Sequence, residues 1–144
     1  MNADFKHKSL SDIVLCCFYT VYNSLGYGFL EKVYENAMVH ELTKRGVTSL
    51  SQFPIAVYYD GEAVGYYFAD LVVENSVIVE IKAAKTLVVE HEAQMLNYLK
   101  ATEIEVGLLL NFGPKAEFRR KVFDNTRKNY FGTRIHADER GLEA

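Results

Sequence analysis

The period of the apolar positions changes along the chain, and each change marks an element. Val14, Cys17, Phe18, Val21 and Leu25 follow Ile13 at three- and four-residue spacing, which predicts a helix with one buried face. Ser9-Leu10-Ser11-Asp12 reads as its capping box, and Gly26-Tyr27-Gly28 breaks it. A second helix is expected from about Phe29 to Lys44, with Leu30, Val33, Tyr34, Ala37, Met38 and Leu42 inward and Gly46 as its stop. The pattern then becomes that of strands. Phe53 to Tyr59 is β-branched and aromatic, Asp60-Gly61 signals a hairpin, and a second strand runs from Ala63 to about Val73. Asn75-Ser76 turns the chain into Val77 to Ala83, and Glu90 to Ala101 returns to helical spacing. Val106 to Asn111 is continuously apolar, as suits a strand buried on both faces in a parallel position reached by a crossover. Phe118 to Phe123 reads as a short edge strand. The order α-α-β-β-β-α-β-(β) places the chain in the α/β (α+β) class, with a mixed sheet flanked by helices.

At 144 residues the chain is expected to form one domain over 1–144, with its core at about 9–123 and a frayed tail over 137–144. An apolar share of 49% with 24% charged residues excludes a disordered chain, and no apolar run approaches the ~20 residues of a membrane span. Adjacent Cys16 and Cys17 exclude a disulfide framework and read as packing inside the first helix. With no apolar signal-like stretch before Ser9, a cytoplasmic location is expected. The net charge of −3 argues against a surface built to coat nucleic acid. Basic residues nevertheless gather late in the chain, and Arg119, Arg120 and Lys121 are the candidates for nucleic-acid contact.

The chemistry concentrates on the strands. Glu80 sits among Val77, Ile78, Val79 and Ile81, and a charged residue in such a strand needs a partner or a metal. Alternation sends Glu80 and Lys82 to one face. With Asp70 on the preceding strand, two carboxylates could hold Mg²⁺ against a phosphodiester while Lys82 orients water or offsets charge. The competing reading is a cross-strand salt bridge between Lys82 and Asp70 or Glu80, which needs no function. Register discriminates between them. Asp70 shares the face only if paired positions sum to an even number, which requires a three- or five-residue loop or a bulge rather than a two-residue Asn75-Ser76 turn.

Other residues join this set. Gly28 to Tyr34 has the form GxxExxY, with Glu31 and Glu35 one turn apart, and Gln94 and Tyr98 form an i, i+4 pair followed by Leu99. With Asp70, Glu80-Ile81-Lys82 and Gly107 to Gly113 (Gly-Leu-Leu-Leu-Asn-Phe-Gly), the sequence resembles the GxxExxY proteins of the PD-(D/E)XK nuclease superfamily from about Ser9 to Phe123. Ala69 stands where the superfamily name has Pro. The resemblance implies a restriction-endonuclease-like αβββαβ core. It implies a divalent metal, Mg²⁺ or Mn²⁺, held by Asp70, Glu80 and the Ile81 carbonyl, with Lys82 assisting the attacking water. Glu31 resembles a further carboxylate from the first core helix, and Gln94 and Tyr98 a supporting element beside the site. The activity expected is hydrolysis of nucleic acid, DNA first. The alternative is a catalytically silent nucleic-acid-binding or protein-interaction module on the same fold. Small size and acidic charge favour that alternative, or an enzyme that grips its substrate as a homodimer or with a partner protein. His91 reads as a helix-terminal residue. Tyr58, Tyr59, Tyr66 and Tyr67 read as strand packing first and base stacking second.

Overall fold

The computed structural model describes residues 6–131. Its elements are α1 (Lys8–Leu25), α2 (Glu31–Lys44), β1 (Ser49–Tyr59), β2 (Glu62–Val73), β3 (Val77–Lys82), α3 (Val89–Lys100), β4 (Val106–Phe112), β5 (Ala116–Val122) and α4 (Asn125–Phe131). The five strands lie in sequence order, antiparallel except for the β3–β4 pair, which is parallel. The architecture is therefore α+β with a mixed sheet, and β4 is buried along its whole length as its apolar run requires.

Each face of the sheet has its own core. On one, Val14, Cys17 and Phe18 of α1 and Tyr34, Met38 and Leu42 of α2 pack on Leu71, Val79, Leu108 and Phe112. On the other, Met95, Tyr98 and Leu99 of α3 pack on Ala69, Val72, Ile78 and Leu109. Asp60 and Gly61 form the two-residue β1–β2 turn, both with positive φ (54° and 81°), as a type I′ hairpin demands.

Several expectations need correction. The capping box does not form, because α1 begins at Lys8, after a left-handed His7. Ser9 and Ser11 then lie within its first turns, and Asp12 pairs with Lys8 at 2.9 Å. Leu30 and Val33 are exposed, because the inward stripe of α2 runs through Tyr34, Met38 and Leu42 and includes Glu35. Cys16 is exposed, and only Cys17 enters the core. Helix α4 was not expected at all. The 137–144 tail lies outside the described residues. The hairpin is longer than its alternation suggested, and β2 pairs with β3 only from Leu71 to Val73. The rest of β2 meets β1 alone, which leaves Tyr66, Tyr67 and Phe68 exposed.

Candidate active site

The site arises where two strands part. Val73 pairs with Val77, Val72 with Ile78 and Leu71 with Val79, so the connection is the three-residue Glu74-Asn75-Ser76 and the register is even. Glu74 and Asn75 both take positive φ, which makes the longer turn. The next pair would be Asp70 with Glu80, and there side chains replace the ladder. Glu80 Oε2 accepts the Asp70 N–H at 2.8 Å, and Asp70 Oδ2 accepts the Ile81 N–H at 2.8 Å. The β1–β2 pairing also breaks at this level, where Gln52 adopts φ 53° between the Ser51–Leu71 and Phe53–Ala69 pairs. Ala69 consequently faces the α3 core while Leu71 faces the α1–α2 core, reversing the alternation on either side of Asp70.

Burial and mutual repulsion dominate the electrostatics. Glu80 is only 4% exposed, and burial followed by the charge of Asp70 pushes its carboxyl up to about 8. The Asp70 carboxyl is raised too, first by burial and then by Glu35 and Glu31, against the lowering pull of the Ile81 N–H and Lys82. Lys82 forms no ion pair among the described residues, so the cross-strand salt bridge is not formed; its ammonium acts on both carboxylates at longer range.

Around this pair the helices supply further groups. Glu31 is exposed at the start of α2 and its Oε2 accepts the Ala83 N–H at 3.2 Å, one residue beyond Lys82. Glu35 is buried, held by Lys32 at 3.0 Å and by the Gln52 amide at 3.1 Å. From α3, Tyr98 lies close enough that Glu80 and Asp70, after burial itself, push its hydroxyl up to about 12. Gln94 lines the same hollow as Tyr98 one turn earlier. Gln52 carried no recognisable sequence signal, because a polar residue in a strand ordinarily faces water. Its left-handed backbone appears only in the fold.

The donor set suits a hard cation. Asp70 and Glu80 each engage one oxygen in the hydrogen bonds above and leave Oδ1 and Oε1 without a partner among the described residues. The Ile81 N–H points toward Asp70, and in an extended strand the carbonyl of the same residue projects to the same edge. No group of three or more His, Cys, Asp or Glu side chains able to hold an ion occurs among the described residues. Glu31 reaches the backbone beside the pair through the Ala83 N–H.

Two sets of contacts fix the surroundings. Buried Asn111 accepts the Ala84 N–H (2.9 Å) and donates to the Ala84 carbonyl (3.0 Å) and to Glu117 (3.2 Å), pinning the chain just after Lys82. Gly113 lies against the Ala84 carbonyl where no Cβ fits. Across the sheet, the Tyr34 hydroxyl donates to the Gly26 carbonyl (2.7 Å) and accepts the Phe29 N–H (3.1 Å), while its ring stacks on Phe112 at 4.2 Å. The Gly28–Tyr34 segment thus holds the start of α2, and Glu31 with it.

The remaining candidates lie elsewhere. Arg119 and Lys121 both pair with Glu92, and Arg120 donates to the Lys6 carbonyl. His91 accepts the Val88 N–H at the start of α3, a helix-terminal role.

A family model for the PD-(D/E)XK nuclease superfamily matches residues 8–121, which include every group of this centre. The chain belongs to the PD-(D/E)XK nuclease superfamily. Among solved structures, one titled "Crystal structure of SSO0001" is similar at 14% identity and a TM-score of 0.47, with 77% of this chain aligned. The aligned part spans 56% of that protein's length. No curated protein gives a significant match. In this PD-(D/E)XK chain the αβββαβ order occupies α2 through β4 and continues into β5, and no helix among the described residues is long and apolar enough to cross a membrane.

Proposed function

We propose that this protein is a divalent-metal-dependent nuclease that hydrolyses phosphodiester bonds in DNA, of the GxxExxY type within its superfamily. The observation that carries the reading is the parting of β2 and β3 at Asp70 and Glu80. It leaves two carboxylates and a strand carbonyl around one gap, with Lys82 beyond it. A Mg²⁺ or Mn²⁺ ion bound by Asp70, Glu80 and the Ile81 carbonyl would supply charge neutralisation at the phosphate and a water of lowered pKa. The carboxylates fix the place, and Lys82 holds the attacking water or offsets charge gathering on the phosphate. Glu31, tied to the backbone beside Lys82, keeps that turn in register with α2, and Tyr98 and Gln94 border the centre from α3. Free Cys16 and Cys17 suit a reducing cytoplasm.

One observation favours the second reading, a silent binding or interaction module. Arg119, Arg120 and Lys121, the nucleic-acid contacts suggested by the sequence, are engaged within the protein. For an enzyme the same fact implies that grip comes from a second copy, a partner protein or other contacts.

The test is cleavage of labelled single- and double-stranded DNA and RNA with Mg²⁺, Mn²⁺ or EDTA. Metal-dependent cleavage of DNA is expected, falling about 100-fold or more in Asp70→Asn, the equivalent of about 3 kcal/mol of barrier. Absence of cleavage with either ion, or an Asp70→Asn protein as active as the wild type, would remove the enzyme reading.

A further inference from the structure

A hollow of about 470 Å³ lies between the outer part of the hairpin and α3, within the roughly 300–1,000 Å³ typical of small-molecule sites. Tyr58 and Tyr67 line it from the strands, and Gln94, Asn97 and Tyr98 line it from the helix, with Lys100 at its margin. We propose that this hollow receives one unpaired nucleobase of the substrate, so that the enzyme acts on DNA carrying an unstacked nucleotide: a single strand, a flap or a frayed end. The inference rests on the nuclease reading and adds the substrate class to it.

Position is the first argument. Tyr98 belongs both to the hollow and to the surroundings of Asp70 and Glu80. Tyr67 stands three residues before Asp70 on β2, about 10 Å along the strand. A nucleotide whose phosphate reaches the carboxylate pair therefore has its base, or its neighbour's base, at the mouth of the hollow.

The lining chemistry is the second. Tyr67 and Tyr98 approach with ring centroids 5.8 Å apart and planes inclined at 46°, which offers aromatic surface from two sides. Gln94 and Asn97 sit at i, i+3 on α3, and neither carboxamide is hydrogen-bonded to another protein group among the described residues. Each presents a donor and an acceptor, the complement of a base edge, while the rings suit any base face.

Charge is the third. The hairpin from Ser49 to Val73 contains no Lys or Arg, but does contain Asp60, Glu62 and Asp70. The hollow itself carries one charge of each sign, Glu90 and Lys100, among apolar, aromatic and carboxamide side chains, so its occupant is flat and uncharged. A paired, stacked base has its edge and faces engaged already. Only an unpaired one enters without breaking a pair, and that difference is the specificity.

The 144-residue chain can be tested by fluorescence anisotropy with a fluorescein-labelled 12-nucleotide single strand, the same strand with one abasic site, and a duplex, alongside cleavage of each. Tyr67 is about half exposed, so Tyr67→Ala leaves the core intact. It should weaken single-strand binding 5- to 100-fold, the range of one base–aromatic stack, and Tyr67→Phe should restore it. An abasic site stepped through the strand should produce the same loss at one position in the wild type, and no additional loss there in Tyr67→Ala. Single-strand binding indifferent to Tyr67→Ala, or an abasic penalty that persists unchanged in that variant, would overturn the pocket. Asp70-dependent duplex cleavage with no response to Tyr67→Ala would also overturn the pocket, while leaving the nuclease reading standing. Tyr67-dependent binding of single strands without cleavage under any metal condition would support the pocket and remove the enzyme.

Discussion

Glu80→Gln tests the energetics of the centre directly. In the metal-free protein the Glu80 carboxyl titrates near 8, against 4.5 when unfolded, because burial and Asp70 both oppose its charge. The folded state therefore holds a proton that the unfolded chain has released. The associated stability is complete below pH 4.5 and is lost as pH rises to about 8, at about 1.4 kcal/mol per pH unit. The full window corresponds to about 5 kcal/mol, and to about 2–4 kcal/mol once water enters the opened strands. Glutamine keeps an acceptor for the Asp70 N–H and removes the titration. In EDTA the variant should then exceed the wild type by about 2–4 kcal/mol at pH 8 and approach it near pH 4.5. Urea unfolding of both proteins at pH 5, 6.5 and 8 measures this: groups distant from Glu80 titrate alike in both proteins and cancel, while Asp70, relieved of a like charge in the variant, shifts the difference the same way. Adding Mg²⁺ or Mn²⁺ at pH 8 to about a thousand times its Kd should reverse the order, since an ion that binds only the folded wild type then stabilises it by about 4.1 kcal/mol. A variant less stable than the wild type at pH 8 in EDTA, or equal pH slopes for the two, would refute the reasoning.

Three further outcomes follow from contacts around the centre. Asn111→Ala leaves the Ala84 N–H and carbonyl without their partner and should cost about 2–4 kcal/mol in urea melts, with cleavage reduced at temperatures where the protein is still folded. Gly113→Ala drives a Cβ into the backbone carbonyl of Ala84 and should cost about 1–3 kcal/mol. Gly107→Ala, whose three nearest neighbours are all atoms of the flexible Met95 side chain, should cost less, and thermal melts of the two rank them. Tyr34→Phe loses the hydroxyl bonds to Gly26 and Phe29 and should cost about 1–2 kcal/mol; because it loosens the start of α2, kcat should fall more than KM changes.

Most elements were legible because their signals are local. The β4 run, the Asp60-Gly61 turn and the stops at Gly26 and Gly46 each follow from the physics of a few neighbouring residues. The even β2–β3 register is accessible too, since placing two carboxylates on one face constrains the loop length. The illegible parts depend on tertiary context. Leu30, expected inward, is exposed and Glu35 is buried, because α2 meets the sheet through Tyr34, Met38 and Leu42, with Tyr34 stacked on Phe112 of a distant strand. The pairing of Arg119 and Lys121 with Glu92 needed the α3–β5 packing, which no spacing in the sequence announces.

The centre is a place where the sheet gives up its own hydrogen bonds. Beyond Leu71 and Val79 the backbone groups of Asp70 and Ile81 would be unsatisfied, and the two carboxylates satisfy them. The carboxylates thus have a structural part in the metal-free fold, yet it obliges them to stand together in a buried site at the expense of their ionisation. Gln52 adds a second cost. A non-glycine residue at φ 53° is disfavoured by about 1–2 kcal/mol, and it lies opposite Asp70 while its amide reaches Glu35. Strain, displaced protons and like charges are therefore gathered within one turn of β2, while the surrounding cores are apolar and regularly packed. A cation at the gap would relieve the repulsion and displace the proton without moving the strands. That is why metal affinity and metal-free instability should rise and fall together across substitutions here, whereas Gln52→Gly, which removes the backbone strain together with the hydrogen bond to Glu35 and leaves Asp70 and Glu80 in place, should shift the melting of metal-free and metal-bound protein by the same amount.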